Sequence, residues 1–306
     1  MEFHGTIRPK ASYSARMRRR FAAALFVAAS SAALAQQPAQ TEHSWMKSYP
    51  VAGKLSLFFE TGDAGVEMRS CGECREVRIA VEVEGKKMSD YHLEESQVGD
   101  QIHFRLRERE HVGFYIAPHR SHMQVTVETP THLMLQAKTS DGNVTLSGLE
   151  GDLTVTSGDG NVTLDHLSGD LRLKAGDGRV RITDASGALE ARTSDASLTV
   201  DGVFHALTLR TSDGALDVHL KPGSRLTSAA SIQASDGPVT VRLPKDFGVD
   251  LEVYTSDGHI DCALPLTMDQ YHSKGGDGHQ LHGRLNGGGT PLSIHTSDGS
   301  VTIGES

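Results

Sequence analysis

Aromatic side chains are scarce in this chain. They make up 5% of 306 residues, and Trp45 is the one tryptophan. A large aromatic-lined pocket is therefore not expected, and small or β-branched side chains must do most of the packing. The longest apolar run, residues 21–35, has 15 residues, short of the roughly 20 that a membrane-spanning helix needs. There is no nucleophile elbow, no phosphate-binding loop and no H-E-x-x-H pair. Polysaccharide lyases and hydrolases do use repetitive β-folds, but with longer coils and aromatics that stack on sugars. Between Tyr115 and Phe204 this chain has almost no aromatics. The expectation is a protein that is not an enzyme and uses no cofactor.

What the first residues contain is a leader. Arg16, Arg18, Arg19 and Arg20 precede the apolar run, and Ala33-Leu34-Ala35 offers the small residues that a signal peptidase requires. Residues 1–35 are read as a signal peptide cleaved after Ala35, with Met17 as an alternative start. Export to the periplasm, the outer cell surface or the medium is the expectation, with no transmembrane anchor in the mature chain. The whole chain carries a formal charge of −9. The leader takes six basic residues and one acidic, leaving 24 against 38, or −14. Bulk electrostatics then disfavour nucleic acid and anionic lipid as partners.

Cysteine is limited to Cys71, Cys74 and Cys262. In an oxidising compartment Cys71-Gly-Glu-Cys74 is read as a local disulfide closing a tight loop. A redox catalyst would need that motif at the start of a helix, yet REVRIAVEVEG (75–85) alternates like a strand. Cys262 is left over and is expected to be a buried free thiol.

Glycine, in contrast, is abundant, at 32 residues, and it marks a repeat. The turn words TSDG, SGDG, AGDG, TSDA and TSDG place Asp141, Asp159, Asp177, Asp195 and Asp213 at intervals of 18. The series continues at Asp236, Asp257, Asp277 and Asp298, with gaps of 23, 21, 20 and 21. A fixed period of this size signals a repeat architecture. Within each repeat apolar residues alternate, as in Val144 and Leu146, then Leu153 and Val155. Period 2 means strands. One coil of strand, turn, strand and turn buries too few side chains to offset the entropy of ordering it. Stacked coils share a hydrogen-bond ladder and bury one another.

The expected fold is therefore all-β: a single-chain β-solenoid, β-helix-like, of about nine short coils, roughly 40 Å long at ~4.8 Å per coil. Residues 36–50 are read as a linker. Residues 51–135 hold strands without the Asp-Gly register and are expected to form an irregular N-terminal β-region capping the solenoid of residues 136–306. Longer corners at 221–226, 243–248 and 264–276 carry prolines that cannot join a ladder.

The stretch VETPTHLMLQAKTSDGNVTLSGLEGDLTV (127–155) resembles the bacterial "putative adhesin" family of β-solenoid domains of unknown function. So do VRLPKDFGVDLEVYTSDG (241–258) and LNGGGTPLSIHTSDGSVTI (285–303). The resemblance covers about residues 50–304. It implies the solenoid fold and an exported location, and it brings no catalytic residues.

In register, Asp141, Asp159, Asp177, Asp195 and Asp213 would form a column about 4.8 Å apart. Such a column could bind Ca²⁺ through carboxylate and carbonyl oxygens. The favoured reading is that Asp shapes the turn and Gly supplies positive φ. SGDGNVTLD (157–165) only superficially matches a calcium nonapeptide, because Val162 stands where an aspartate should be. Outward threonines are interrupted by Arg181 and Asp217, which breaks any flat ice-binding array. His119 and His122, and His279 and His282, have i, i+3 spacing, but on strands these positions face opposite ways.

The resulting expectation is an exported, non-enzymatic β-solenoid, an adhesin or cell-envelope interaction protein. Its partner would be a protein or polysaccharide on the envelope or another surface. A self-assembling periplasmic scaffold is the alternative, and a carbohydrate-active enzyme a weaker one.

Overall fold

The computed structural model describes residues 38–109, 121–273 and 279–306. The leader, His119 and the turn at Asp277 lie outside the described residues. Among them there is no α-helix, only a 3-10 turn at Met88–Asp90. The 24 strands form one continuous sheet. The long strands Arg179–Thr193 and Ser197–Arg210 run through both faces of the coil and join them.

Each coil lays one strand in a first face and one in a second. Val144–Ser147, Val162–Asp165 and the start of Arg179–Thr193 follow one another in parallel in the first face. Glu150–Ser157 and Ser168–Ala175 do so in the second, continued by the far end of Arg179–Thr193. The alternation in sequence becomes alternation in burial. Val144, Leu146, Leu153 and Val155 are buried with their equivalents in the neighbouring coils, and Leu149 and Leu167 fill the corner between the faces.

The repeat begins earlier than residue 136. Leu55–Thr61 and Gly65–Ser70 form a coil in register with the repeats, pairing Leu57 with Leu135 and Val66 with Val144. Its turn is Thr61-Gly62-Asp63-Ala64, which departs from the Asp-Gly word as Asp195-Ala196 does. Gln101–Glu108 and His122–Thr129 lie parallel to this coil on its far side. Antiparallel strands then cover that end: Glu76–Glu84 and Ser44–Pro50 on the first face, Tyr91–Val98 on the second.

The other end is not stacked in chain order. The last coil, Thr290–Thr296 with Val301–Glu305, lies between Ala230–Gln233 with Val239–Leu243 and Val249–Thr255 with Ile260–Cys262. An antiparallel hairpin of Thr267–Ser273 and His279–Leu285 covers Val249–Thr255. Cys262 is free and only half-buried, not buried as expected. It sits in a three-residue strand whose described pairing is with Val301–Ile303 alone, so no further coil covers it. Partial burial pushes its thiol pKa up.

Candidate binding face

The turns stack closely. Gly158 N–H donates to Ser140 O at 2.8 Å, Ser212 to Ser194 at 3.0 Å and Ser235 to Ser212 at 3.0 Å. Asp141, Asp159, Asp177, Asp195 and Asp213 therefore form a column along one edge, and all five are exposed. The turn is held by other groups than the sequence suggested. No hydrogen bond of these carboxylates exists among the described residues. The threonine two positions earlier does that work: Gly258 N–H donates to buried Thr255 Oγ1 at 3.0 Å, and Gly299 N–H to Thr296 Oγ1 at 3.2 Å. Thr139 and Thr193 hydroxyls instead reach the carbonyls of Gly142 and Ala196.

Glycine is required in these turns mainly for close approach. A Cβ on Gly142 would lie 1.7 Å from Ala64 O, one on Gly214 1.9 Å from Ala196 O, and one on Gly258 2.0 Å from Gly299 O. Among the described turn glycines of this series positive φ occurs at Gly178 alone, at 101°, the neighbour of the exceptional Ala196. The column offers no buried, unpartnered carboxylate that would select a cation.

Cys71 and Cys74 are joined by a disulfide. Cys71 N–H donates to Thr129 O at 2.9 Å and Thr131 N–H to Gly72 O at 3.1 Å, which ties this loop to the neighbouring coil. His279 and His282 stand on the strand His279–Leu285, where their odd spacing sends them to opposite sides.

At the opposite corner, Asp165, His166 and Asp184 bring ligand-type atoms within 4.8 Å of one another. Their charge is already answered. His166 Nδ1 meets Asp165 at 2.8 Å, Lys221 pairs with Asp184 and lies 2.6 Å from Asp201, and His219 Nδ1 lies 2.7 Å from Asp201. The Asp165 carboxylate, by hydrogen bond and charge, raises the pKa of His166. Burial works to raise that of Asp201, but hydrogen bonds from Lys221 and His219 outweigh it and the net shift is downward. The cluster fastens coil to coil.

The feature that sequence reading missed lies on the second face. Lys138 pairs in register with Thr156, Thr156 with Lys174, Lys174 with Arg192 and Arg192 with Arg210. Lys138, Lys174, Arg192 and Arg210 are all exposed and form a basic row. Lys138 and Lys174 have no side-chain partner among the described residues. Arg192 meets Glu190 at 2.8 Å, and Arg210 donates to the amide oxygen of Gln233 at 2.6 Å. In sequence each stands three residues before a turn aspartate, a signal hidden by the net negative charge.

The row continues to Gln233, His295 and Tyr254. Tyr254 and His295 stack at 4.9 Å. At its other end Lys138 borders an open depression of about 770 Å³, also lined by Phe58, Glu94, His103, Arg105 and Gln136. There Phe58 and His103 stack at 4.5 Å with planes 5° apart. Glu60 is neutralised by Arg105 at 2.9 Å and Arg107 at 2.5 Å. Hydrogen bonding from Arg107 foremost, with Arg105, holds its carboxyl below the usual range against the opposing effect of burial.

No curated protein matches the chain. Among solved structures it is similar to a "putative cell adhesion protein" from Clostridium sporogenes at 10% identity, over 88% of this chain and 100% of that one, with a TM-score of 0.26. It is similar to a "putative lipid binding protein" from Parabacteroides distasonis at 12% identity, over 85% and 96%, with a TM-score of 0.39. A "putative adhesin" from Parabacteroides merdae shows 11% identity over 85% and 96%, with a TM-score of 0.33. Residues 56–304, nearly the whole described solenoid, match one family model, and the chain belongs to the Toastrack DUF4097 family.

Proposed function

We propose that this is an exported, non-enzymatic β-solenoid that presents its second face to another macromolecule at the cell surface, as an adhesin-type envelope interaction protein. One observation carries the reading. Outward side chains on that face are held in register from Phe58 through Gln136, Thr154, Arg172 and Glu190 to Thr208 by a continuous ladder of parallel strands. The backbone beneath such an array is already ordered, so binding an extended partner costs little further conformational entropy. The face is open and, beyond Phe58, its side chains in this array are polar or charged, as suits a large, hydrated ligand. Among the described residues no helix is long and apolar enough to cross a membrane. The leader read at residues 1–35 supports export.

Co-sedimentation of the purified chain with envelope fragments from its own host tests this. Saturable pelleting that excess unlabelled chain competes away is expected. A chain that stays in the supernatant at every fragment concentration contradicts the proposal.

A further inference from the structure

We infer that Lys138, Lys174, Arg192 and Arg210 form a docking track for a linear, carboxylate-bearing polysaccharide lying along the solenoid axis, across the strands. The inference rests on the reading of the second face as an interaction surface, and names its partner.

The row is a charge anomaly. On a chain with a formal charge of −9, four exposed cations occupy the same position in four of five successive coils, with Thr156 as the exception. Neighbouring like charges at one coil spacing, ~4.8 Å, repel by about 1 kcal/mol in water. Among the described residues only Arg192 of the four has a carboxylate within ion-pair distance. An anionic chain laid over the row would remove that repulsion. The turn aspartates, three residues further along each coil, repel such a chain if it strays toward the edge, so the charge pattern defines a line.

Pitch and chemistry select the ligand. From Lys138 to Arg210 the track runs four coil steps, about 19 Å. An extended polysaccharide with one carboxylate per ring advances by about one ring width per charge, comparable to one coil. Threonines and amides beside the row, Gln136, Thr154, Thr208 and Gln233, offer donors and acceptors to sugar hydroxyls. The ring pairs Phe58–His103 and Tyr254–His295 flank the track at its two ends, where apolar faces of sugar rings can pack. Single-stranded nucleic acid would want a stacking platform for each successive base, and the middle of the track has none. A membrane surface would want apolar side chains among the cations, whereas Thr156 is the one residue between them and the neighbouring column runs Gln136, Thr154, Arg172, Glu190 and Thr208.

The test is isothermal titration of the full chain with oligogalacturonate, with neutral dextran oligomers as control. Binding of oligogalacturonate that weakens as salt is raised, with no binding of dextran, is expected. The variant Lys138→Glu, Lys174→Glu, Arg210→Glu should lose affinity roughly tenfold or more. Arg181→Glu, on the opposite face, should bind as the unmodified chain does. Thermal melts of both variants control for folding, and Lys138→Ala with Lys174→Ala, two side chains without partners, provides a milder pair that should show a smaller loss. Equal binding by the triple variant and the unmodified chain overturns the track, as does absence of oligogalacturonate binding. If the triple variant still pellets with envelope fragments, the track is overturned while the envelope reading stands; if the unmodified chain does not pellet either, both fall.

Discussion

The backbone N–H of Ser297 donates to the carbonyl of Ser235 at 2.9 Å, and the carbonyl of Ser297 accepts from Ser256 at 3.0 Å. The last coil in sequence is thus held between two coils that precede it. Until residues 290–305 arrive, the strands on either side of the gap have no partner there. Ile294, 1% exposed, is the centre of that coil in the second face. Ile294→Ala should destabilise the chain by about 2–5 kcal/mol, read as a lower urea midpoint. Hydrogen exchange should show the loss spreading to Ala230–Gln233 and Val249–Thr255, its neighbours on both sides.

The turn glycines give a paired prediction. A Cβ on Gly214 would sit 1.9 Å from Ala196 O, while one on Gly62 meets nothing within 4 Å. Gly214→Ala should therefore cost about 1–3 kcal/mol through overpacking. Gly62→Ala, before the turn aspartate of the first repeat coil where Ser212 stands in the later turn, should stay within about 0.5 kcal/mol. Equal melting temperatures for the two would contradict close approach as the reason for glycine.

Much of the fold is legible in the sequence, because an in-register β-ladder copies chemistry from coil to coil. Val144, Val162 and Val180 recur every 18 residues and do stack as buried neighbours. Spatial order is not encoded by period, so nothing in TSDG at Asp298 distinguishes a coil that intercalates from one that extends the stack. The coil at Thr61-Gly62-Asp63-Ala64 was hidden for a different reason. Its turn ends in alanine, and a long stretch of sequence, whose described strands cover that end, separates it from Asp141. The basic row was legible in KTSD, KAGD and RTSD, but a charge total averages over faces that a solenoid keeps apart.

Buried hydroxyls should divide into two classes. Thr255 is fully buried, accepts from Gly258 N–H at 3.0 Å and donates to Gly299 O at 2.9 Å. Thr255→Val leaves both groups unsatisfied and should cost about 1–3 kcal/mol. Thr129 is equally buried, yet its hydroxyl has no partner among the described residues. Thr129→Val should be neutral or stabilising, since it removes an unsatisfied polar atom. Chemical denaturation of the two variants side by side checks the contrast.

The corner around Asp201 predicts an acid limb. Its folded carboxyl titrates below the usual range because hydrogen bonds from Lys221 and His219 outweigh burial. A depressed carboxyl contributes stability above the unfolded value, about 3.9, and loses it as pH falls through the folded value. His166 acts in the opposite sense. Its raised pKa contributes below about 6.5, and that contribution disappears as pH rises through the folded value. His166 is exposed and Asp201 only partly buried, both at the surface of the coil, so the effects should be small and salt-sensitive. Asp201→Asn should flatten the acid limb of a stability-against-pH curve, and His166→Asn the limb near neutrality.

Where the second face is displayed decides whether it can meet an external macromolecule. Protease shaving of intact host cells carrying a tagged copy, with a known periplasmic protein as control, measures this directly. Loss of the tag while the control survives is the predicted result, placing the face where it can meet an external macromolecule. Protection of the tag together with the control would contradict a surface adhesin.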